Sequence, residues 1–340
     1  MHTKRNVFIA VFSFLILTIF VLYGTYYYIL DKQKILLDST YNLTNTNILK
    51  LTEKFLDNKI NTTLAIALSL VKDYELHKLM ATQEYDKFNY NDISQQIKDN
   101  TKFKNIWIQI IDKNGNSIYR SWSDKKGDNL FFRKDLKNFV EDKKVSTSIS
   151  VGLYSMTIKA RAPIIDEENN FLGALEIISQ FNSIANDLKE NKIDSVIIAD
   201  KKYNEIIQLP FSKIFIDDYY VANVNVNKEL ITYLQRNKIE KYLKIYNYII
   251  ENNYLISKFD LYNNKNERLG YILNFVKLND IDIRIVESFK IQTIMISAIV
   301  LIIMLFLFLI YLYTSYLRLL KIQENKKEAI LNSQENIIVI

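Results

Sequence analysis

Residues 106–122 decide the fold class of this chain, and they read IWIQIIDKNGNSIYRSW. Apolar and polar side chains alternate on both sides of Asn114-Gly115, a dipeptide that favours a tight turn because both turn residues adopt positive φ. We expect a β-hairpin with a two-residue turn that sets Lys113 opposite Asn116. That register predicts three pairs on one face of the sheet: Trp107 with Trp122, Gln109 with Arg120, and Ile111 with Ile118.

The two faces of this hairpin differ in character. The other face carries Ile106, Ile108, Ile110 and Tyr119, and this composition predicts a core face. On the first face two tryptophans frame Arg120, whose planar guanidinium can hold a carboxylate by two parallel hydrogen bonds while the indoles exclude water. We predict a ligand site here, made of Arg120, Trp122, Trp107 and Gln109. The alternative is a structural cation–π pair between Arg120 and a tryptophan.

A second hairpin follows at residues 154–178. Apolar Met156, Ile158 and Ala160 alternate with polar side chains on the strand 154–165, and the turn 166–170 leads into the strand 171–178. We expect the turn to bring Lys159 near Glu176. These two residues, with Arg161 and Tyr154, complete the predicted ligand-binding set, although Lys159 and Glu176 could instead form a solvated cross-strand ion pair. Residues 181–190 predict a connecting helix.

A weaker copy of these patterns lies downstream. Residues 196–208 repeat the strand, polar turn and strand of the first hairpin, and residues 266–275 repeat the segment 169–177. Both copies set Leu-Gly just before a strand, at Leu172-Gly173 and at Leu269-Gly270. Two tandem α/β modules explain this spacing, and chance similarity of short strands is the alternative.

Upstream of the hairpins, residues 31–80 contain no proline or glycine. Apolar residues recur there at helical spacing, which predicts one long helix, broken at most once. We expect its stripe to be a core or dimer contact, formed by Leu56, Ile60, Leu64, Leu68 and Val71.

Two apolar blocks, residues 7–30 and 291–313, are free of charge. Each is long enough to cross a hydrocarbon core of about 30 Å. A core helix is usually shorter and amphipathic, and the first block is too long for a cleaved signal peptide. We therefore expect two transmembrane helices.

Flanking charge predicts the orientation of these helices. Lys4 and Arg5 precede the first, and the second is followed by Arg318, Lys321, Lys326 and Lys327. Positive charge favours the cytoplasmic side, so both termini are expected inside the cell and residues 31–288 outside it. The chain has no cysteine, and no disulfide can stabilise this outer region.

In this order, the helices and hairpins resemble a double Cache receptor of bacteria. The resemblance implies an α+β fold with a long N-terminal helix and two tandem PAS-like antiparallel-sheet modules, flanked by two transmembrane helices. In amino-acid-binding members an Arg-x-Trp motif meets the ligand carboxylate, and Arg120-Ser121-Trp122 matches it, although Ser123 departs from the aromatic residue expected next. The boundaries implied are a cytoplasmic N-terminus at 1–6, transmembrane helices at 7–30 and 289–315, a membrane-distal module with the long helix at 31–190, a membrane-proximal module at 191–288, and a cytoplasmic linker at 316–340.

The sequence favours no catalytic, metal or cofactor site. The chain has two histidines, His2 and His77, no cysteine and no glycine-rich phosphate loop. The net charge of +6 comes with lysines interspersed among acidic residues, which does not suit nucleic-acid binding. Residues 321–333 predict a helix, and residues 334–340 a strand that begins a PAS-like module cut off at the chain end.

The expected function is a homodimeric membrane receptor for a small ligand, an amino acid or small carboxylate. Such a receptor relays its signal to a cytoplasmic output domain of the histidine kinase or diguanylate cyclase type. The alternative is a non-signalling, membrane-anchored protein-binding or assembly factor, which would show an exposed apolar patch and no enclosed pocket near Arg120.

Overall fold

The computed structural model describes residues 2–103 and 106–338, and the chain divides into two compact units. One unit comprises the residues up to Tyr41 and those from Asp282 on, and the other comprises residues 42–281. The α-helices are α1 (His2–Leu70), α2 (Tyr74–Thr82), α3 (Asn91–Asn100), α4 (Lys134–Asp142), α5 (Asn182–Glu190), α6 (Lys228–Arg236), α7 (Glu240–Leu243) and α8 (Arg284–Ile338). The strands are β1 (Ile106–Asp112), β2 (Ser117–Arg120), β3 (Ser146–Val151), β4 (Met156–Ile165), β5 (Phe171–Ser179), β6 (Asp194–Ala199), β7 (Phe215–Ile216), β8 (Tyr219–Tyr220), β9 (Tyr248–Glu251), β10 (Tyr254–Tyr262) and β11 (Arg268–Lys277).

The first unit pairs two helices, α1 and α8, that are long and apolar enough to cross a membrane. Thr25 Oγ1 donates to Ser297 Oγ at 3.0 Å, and the rings of Phe14 and Phe308 stack with centroids 4.3 Å apart. The expected strand at residues 334–340 is wrong for residues 334–338, because they continue α8 as helix. Residues 339 and 340 lie outside the described part of the chain.

The second unit contains a five-stranded antiparallel sheet in the order β2-β1-β5-β4-β3. The predicted pairing of Gln109 with Arg120 is confirmed, but the two-residue turn and the pair Ile111–Ile118 are wrong. Asp112 N donates to Asn116 O at 2.9 Å, which closes a three-residue loop, and of its residues only Gly115 has positive φ, +81°. The extra loop residue produces a β-bulge, so Ile111 pairs with Ser117.

The second hairpin, β4 with β5, forms as predicted, and Lys159 lies near Glu176 on the adjacent strand. Arg161, rather than Lys159, lies opposite Glu176, and Lys159 pairs with Ile178. The reason is the turn, which is set by Asp166: its Oδ1 accepts from the backbone N of Asn170 at 2.7 Å. The helix expected at 181–190 is confirmed as α5.

A four-stranded sheet, β6-β11-β10-β9, repeats the order β1-β5-β4-β3 and confirms the tandem fold. We call the five-stranded sheet with its helices the first module and the four-stranded sheet with α6 and α7 the second module. The strand expected towards residue 208 is wrong, because β6 leads into a 3₁₀ turn at Lys201–Tyr203. Gly173 and Gly270 occupy equivalent positions: a Cβ there would lie 2.2 Å from Ile111 O and 2.0 Å from Ile198 O.

The long helix is confirmed, and it breaks once, between α1 and α2. Its predicted stripe is only partly buried, since Leu68 is 42% exposed. The buried line is instead formed by Ile48, Thr52, Leu56, Lys59, Thr63 and Ala67. Polar members of this line have partners on the sheets: Thr63 Oγ1 lies 2.8 Å from Ser179 Oγ, and Asn274 Nδ2 donates to Thr52 Oγ1 at 3.1 Å.

Candidate ligand-binding site

A cavity of about 410 Å³, here called the ligand cavity, lies on one face of the first module's sheet. Ile108, Ala160 and Ile177 point to the other face, where they pack with Ala67 of α1, so the cavity faces away from the long helix. Most of the predicted site residues line it: Trp107, Gln109, Arg120, Trp122, Tyr154 and Lys159. The structure therefore brings both hairpins together around one space of ligand size.

Aromatic rings form one wall of the ligand cavity. Trp107 and Trp122 stack on each other with centroids 4.8 Å apart, and the edge of Tyr154 meets each of them at 6.2 Å. The indoles thus contact each other, as the predicted pairing of Trp107 with Trp122 requires. The Nε1–H group of Trp122 is buried and has no acceptor among the described residues, so it can donate to a bound molecule.

Arg120 lies in the ligand cavity with its hydrogen-bonding fork already occupied. Its two terminal nitrogens donate to the carboxylate of Asp128 at 2.7 and 2.8 Å, and one of them also donates to Lys125 O at 2.5 Å. A bidentate pair of this kind is the arrangement that a ligand carboxylate would need. A ligand can take this fork only by displacing Asp128.

The remaining two predicted residues, Arg161 and Glu176, belong to a charge cluster beside the cavity on the same face of the sheet, formed by Arg133, Asp135, Arg161 and Glu176. Arg133 donates to both oxygens of Glu176, at 2.9 and 2.6 Å, and Arg161 donates to Glu176 and Asp135. Arg133 also lines the ligand cavity, whereas Arg161 and Asp135 line a neighbouring cavity of about 540 Å³. Glu176 is fully buried, so a solvated ion pair with Lys159 does not form.

The charge cluster keeps its carboxylates ionised. Burial by itself raises the pKa of Glu176, but the positive charges of Arg133 and Arg161 outweigh it and lower that pKa to about 2. The same balance, with burial opposed by Arg133 and Arg161, lowers the pKa of Asp135. In the amide orientation that satisfies both of its ends, Gln109 donates to Glu176 Oε1 and accepts from Arg120 Nε, each at 3.2 Å.

Lys159 differs from the arginines around it. Its side chain is 3% exposed, yet its ammonium forms no salt bridge or hydrogen bond with any residue in the described ranges. Burial lowers its pKa to about 7, the positive charge of Arg133 adds to that effect, and the negative charges of Glu176 and Asp135 oppose it. A buried cation without a partner in a cavity is a place where an anionic ligand would be stabilised.

Sequence reasoning missed the residues that neutralise these charges and those that close the ligand cavity. Asp128 and Arg133 come from the connection after β2, and Glu205, Ile206 and Gln208 come from the second module. A buried Glu176 needs a cationic partner, which is a signal for an arginine such as Arg133. No local pattern indicates which distant loop supplies it.

Residues 43–279 match the family dCache_3, described as the double sensory domain of two-component sensor kinases. The chain belongs to this double Cache family. A comparison with curated proteins finds no significant match.

Several solved structures are similar to this chain. The Vibrio cholerae histidine kinase DctB sensor domain is 13% identical, with a TM-score of 0.41 over 69% of this chain and 96% of that one. The Campylobacter jejuni chemoreceptor Tlp3 ligand-binding domain, solved in complex with L-valine, is 12% identical, with a TM-score of 0.43 over 73% of this chain and 97% of that one. The Escherichia coli DcuS sensor domain is 15% identical, with a TM-score of 0.34 over 40% of this chain and 98% of that one.

Proposed function

We propose that the chain is a transmembrane receptor that binds an amino acid or small carboxylate in the ligand cavity. The receptor acts as a homodimer and relays binding to a cytoplasmic output domain such as a histidine kinase or diguanylate cyclase. Membership of the double Cache family supports the sensory role. The cavity around Arg120 favours a receptor over an anchored assembly factor, which needs no such cavity.

The observation that carries this proposal is the unpartnered ammonium of Lys159 in the ligand cavity. Arg120 is neutralised by Asp128, and Arg133 and Arg161 are neutralised by the acidic members of the charge cluster. Lys159 is therefore a buried basic group that an incoming carboxylate can pair with at no cost to an existing pair. The stacked indoles and Tyr154 offer an apolar surface for the rest of the ligand.

Ligand binding can be tested on the full chain in detergent micelles. Amino acids and small carboxylates are screened by thermal shift, and each hit is quantified by calorimetry for the native chain and for Lys159→Met. Methionine keeps the length of the side chain and removes the charge, so affinity should fall at least tenfold. Lys189→Met, an exposed lysine on α5, is the matched control and should leave affinity unchanged. Absence of any hit, or equal affinity in Lys159→Met, would reject the proposal.

The proposed location is the inner membrane, with the sensory unit in the periplasm and both termini in the cytoplasm. The lysines and arginines that flank the apolar segments support this orientation. Because the chain lacks cysteine, single cysteines report topology directly. In intact spheroplasts, Lys265→Cys should react with a membrane-impermeant maleimide, and Lys327→Cys should react only after permeabilisation. The reverse pattern would contradict the orientation.

A further inference from the structure

Segment 205–211 of the second module lies against the ligand cavity of the first module. It follows β6 and precedes β7, so it belongs to the second module by chain order. Glu205, Ile206 and Gln208 nevertheless line the cavity, beside residues of β1, β4 and the loop 152–155. One wall at the mouth of the cavity is therefore supplied by a different module from the one that supplies the base.

Backbone hydrogen bonds fix this segment in place. Leu209 N donates to Leu153 O at 3.0 Å, and Phe211 N donates to Tyr154 O at 2.9 Å. The donors are two residues apart but the acceptors are adjacent, so the two bonds tie the segment to the loop 152–155 without forming a regular strand pair. The ring of Phe211 meets Trp107 edge-to-face with centroids 5.1 Å apart, which joins the segment to the aromatic wall.

The other end of the segment is tied to the core of the second module. Tyr220 of β8 is fully buried, and its hydroxyl accepts from Ser212 N at 3.2 Å. The same hydroxyl lies 3.2 Å from Ser155 Oγ in the first module. Ser212 Oγ donates to the carbonyl of Val221, which packs in the second module's core, at 2.6 Å. Hydrogen bonds thus connect the segment next to the cavity with packed residues of the second module.

The charges at the cavity give this wall a chemical role. Asp128 is held by Arg120, whereas Glu205 forms no ion pair with any residue in the described ranges. Its carboxylate is an acceptor for a cationic group, and the neighbouring amide of Gln208 can both donate and accept. The buried Lys159 and the exposed Glu205 both line the cavity and have opposite charges, which suits a zwitterion better than a simple anion.

We propose that the ligand site is shared between the modules, with Glu205 of segment 205–211 binding the ammonium of an α-amino acid whose carboxylate is held by Lys159. This inference rests on the proposed function and narrows its ligand to a zwitterion. Ligand binding then draws segment 205–211 towards the cavity. This movement is passed directly to the second module, in addition to any movement of the long helix.

The test uses matched pairs of probes on the full chain in detergent. Each proteinogenic amino acid is compared with the carboxylic acid that has the same side chain and a hydrogen in place of the ammonium. In the native chain the amino acid should bind at least tenfold more tightly than its partner. Glu205→Gln, which keeps the shape and removes the charge, should reduce that preference to less than threefold while leaving the affinity for the carboxylic acid unchanged. Glu229→Gln, on the exposed side of α6, should leave both affinities unchanged.

Hydrogen exchange provides a second readout that a merely structural role would not change. The amides of Leu209 and Phe211 should exchange more slowly with the amino acid bound than with the carboxylic acid bound. An unchanged preference in Glu205→Gln, with normal binding to the native chain, would overturn this inference and leave the proposed function standing. If Lys159→Met loses binding and Glu205→Gln does not, the proposed function is supported without this inference. Absence of any ligand for the native chain would overturn both the proposed function and this inference.

Discussion

The two modules share a strand order but carry their buried polar side chains on opposite faces of the sheet. Aligning them at Gly173 and Gly270 makes four pairs of residues equivalent: Gln109 and Val196, Lys159 and Ile256, Arg161 and Lys258, and Glu176 and Leu273. In the first module this face is polar and borders the ligand cavity. In the second it is largely apolar and is covered by side chains of α6 and α7.

The faces towards the long helix show the reverse pattern. In the first module that face is apolar, with Ile108, Ala160 and Ile177 packed in the core. In the second it carries Ser195, Ser257 and Asn274, all buried, and Asn274 bonds to Thr52 of α1. Two sheets of the same topology therefore have different environments. The first module keeps a polar face beside the ligand cavity, whereas the second module packs the equivalent apolar face under α6 and α7. Apolar side chains on a sheet face must be shielded from water by other side chains. Charged side chains that form ion pairs with one another can instead border a cavity.

Replacing Glu176 by leucine, as in the second module, tests this comparison with the largest expected effect. The substitution leaves Arg133 and Arg161 buried without their shared partner, so the free energy of unfolding should fall by about 3–5 kcal/mol. Denaturant unfolding of the full chain measures it, and Glu167→Gln in the exposed turn is the control. A loss below about 1 kcal/mol would mean that the charge cluster does not stabilise the first module.

The two equivalent glycines test the shared topology. Gly173→Ala and Gly270→Ala each place a methyl group against a backbone carbonyl of the neighbouring strand. Each should lower the free energy of unfolding by about 1–3 kcal/mol because the strands must separate to fit it. Gly152→Ala is the control, since its nearest contact would be an ordinary 3.5 Å. An effect at one glycine only would break the equivalence.

The pH dependence of binding tests the difference between Lys159 and Ile256. Because the pKa of Lys159 is lowered to about 7, the ammonium is half charged at pH 7, gains charge as the pH falls and loses its proton as the pH rises. Binding a carboxylate above pH 7 requires proton uptake, so affinity should fall about tenfold per pH unit between pH 7 and 9. Calorimetry across this range checks it, and residual binding to Lys159→Ile should not share this dependence. A flat profile in the native chain would show that Lys159 does not pair with the ligand.

The polar helix contact of the second module should have the smallest effect. Thr52→Val keeps the shape of the side chain and leaves Asn274 Nδ2 without its acceptor on α1. The expected loss is about 1 kcal/mol. Thr46→Val, on the exposed side of the same helix, should change the free energy of unfolding by less than half as much. Equal effects from the two substitutions would show that the contact with Asn274 does not contribute to the free energy of unfolding.

Much of the fold could be predicted from local patterns. The alternation around Asn114-Gly115 predicted the first hairpin, and the repeated Leu-Gly pairs predicted the tandem modules. The register of β4 against β5 could not be predicted, since Asp166 sets it through backbone hydrogen bonds that composition does not reveal. The ligand role of the predicted site residues stays a prediction, as do the domain boundaries.

The sequence by itself determined the apolar helices, the strand pattern and the polar side chains of the first module, because each depends on residues close together along the chain. Only the tertiary structure decided which charges are paired. Arg120, the strongest candidate in the sequence, is held by Asp128, and Lys159 has no hydrogen-bond or salt-bridge partner in the described part of the chain. It also decided that Glu205 from another module reaches the cavity. The physical reason is that charge pairing depends on distances in space between residues far apart in sequence.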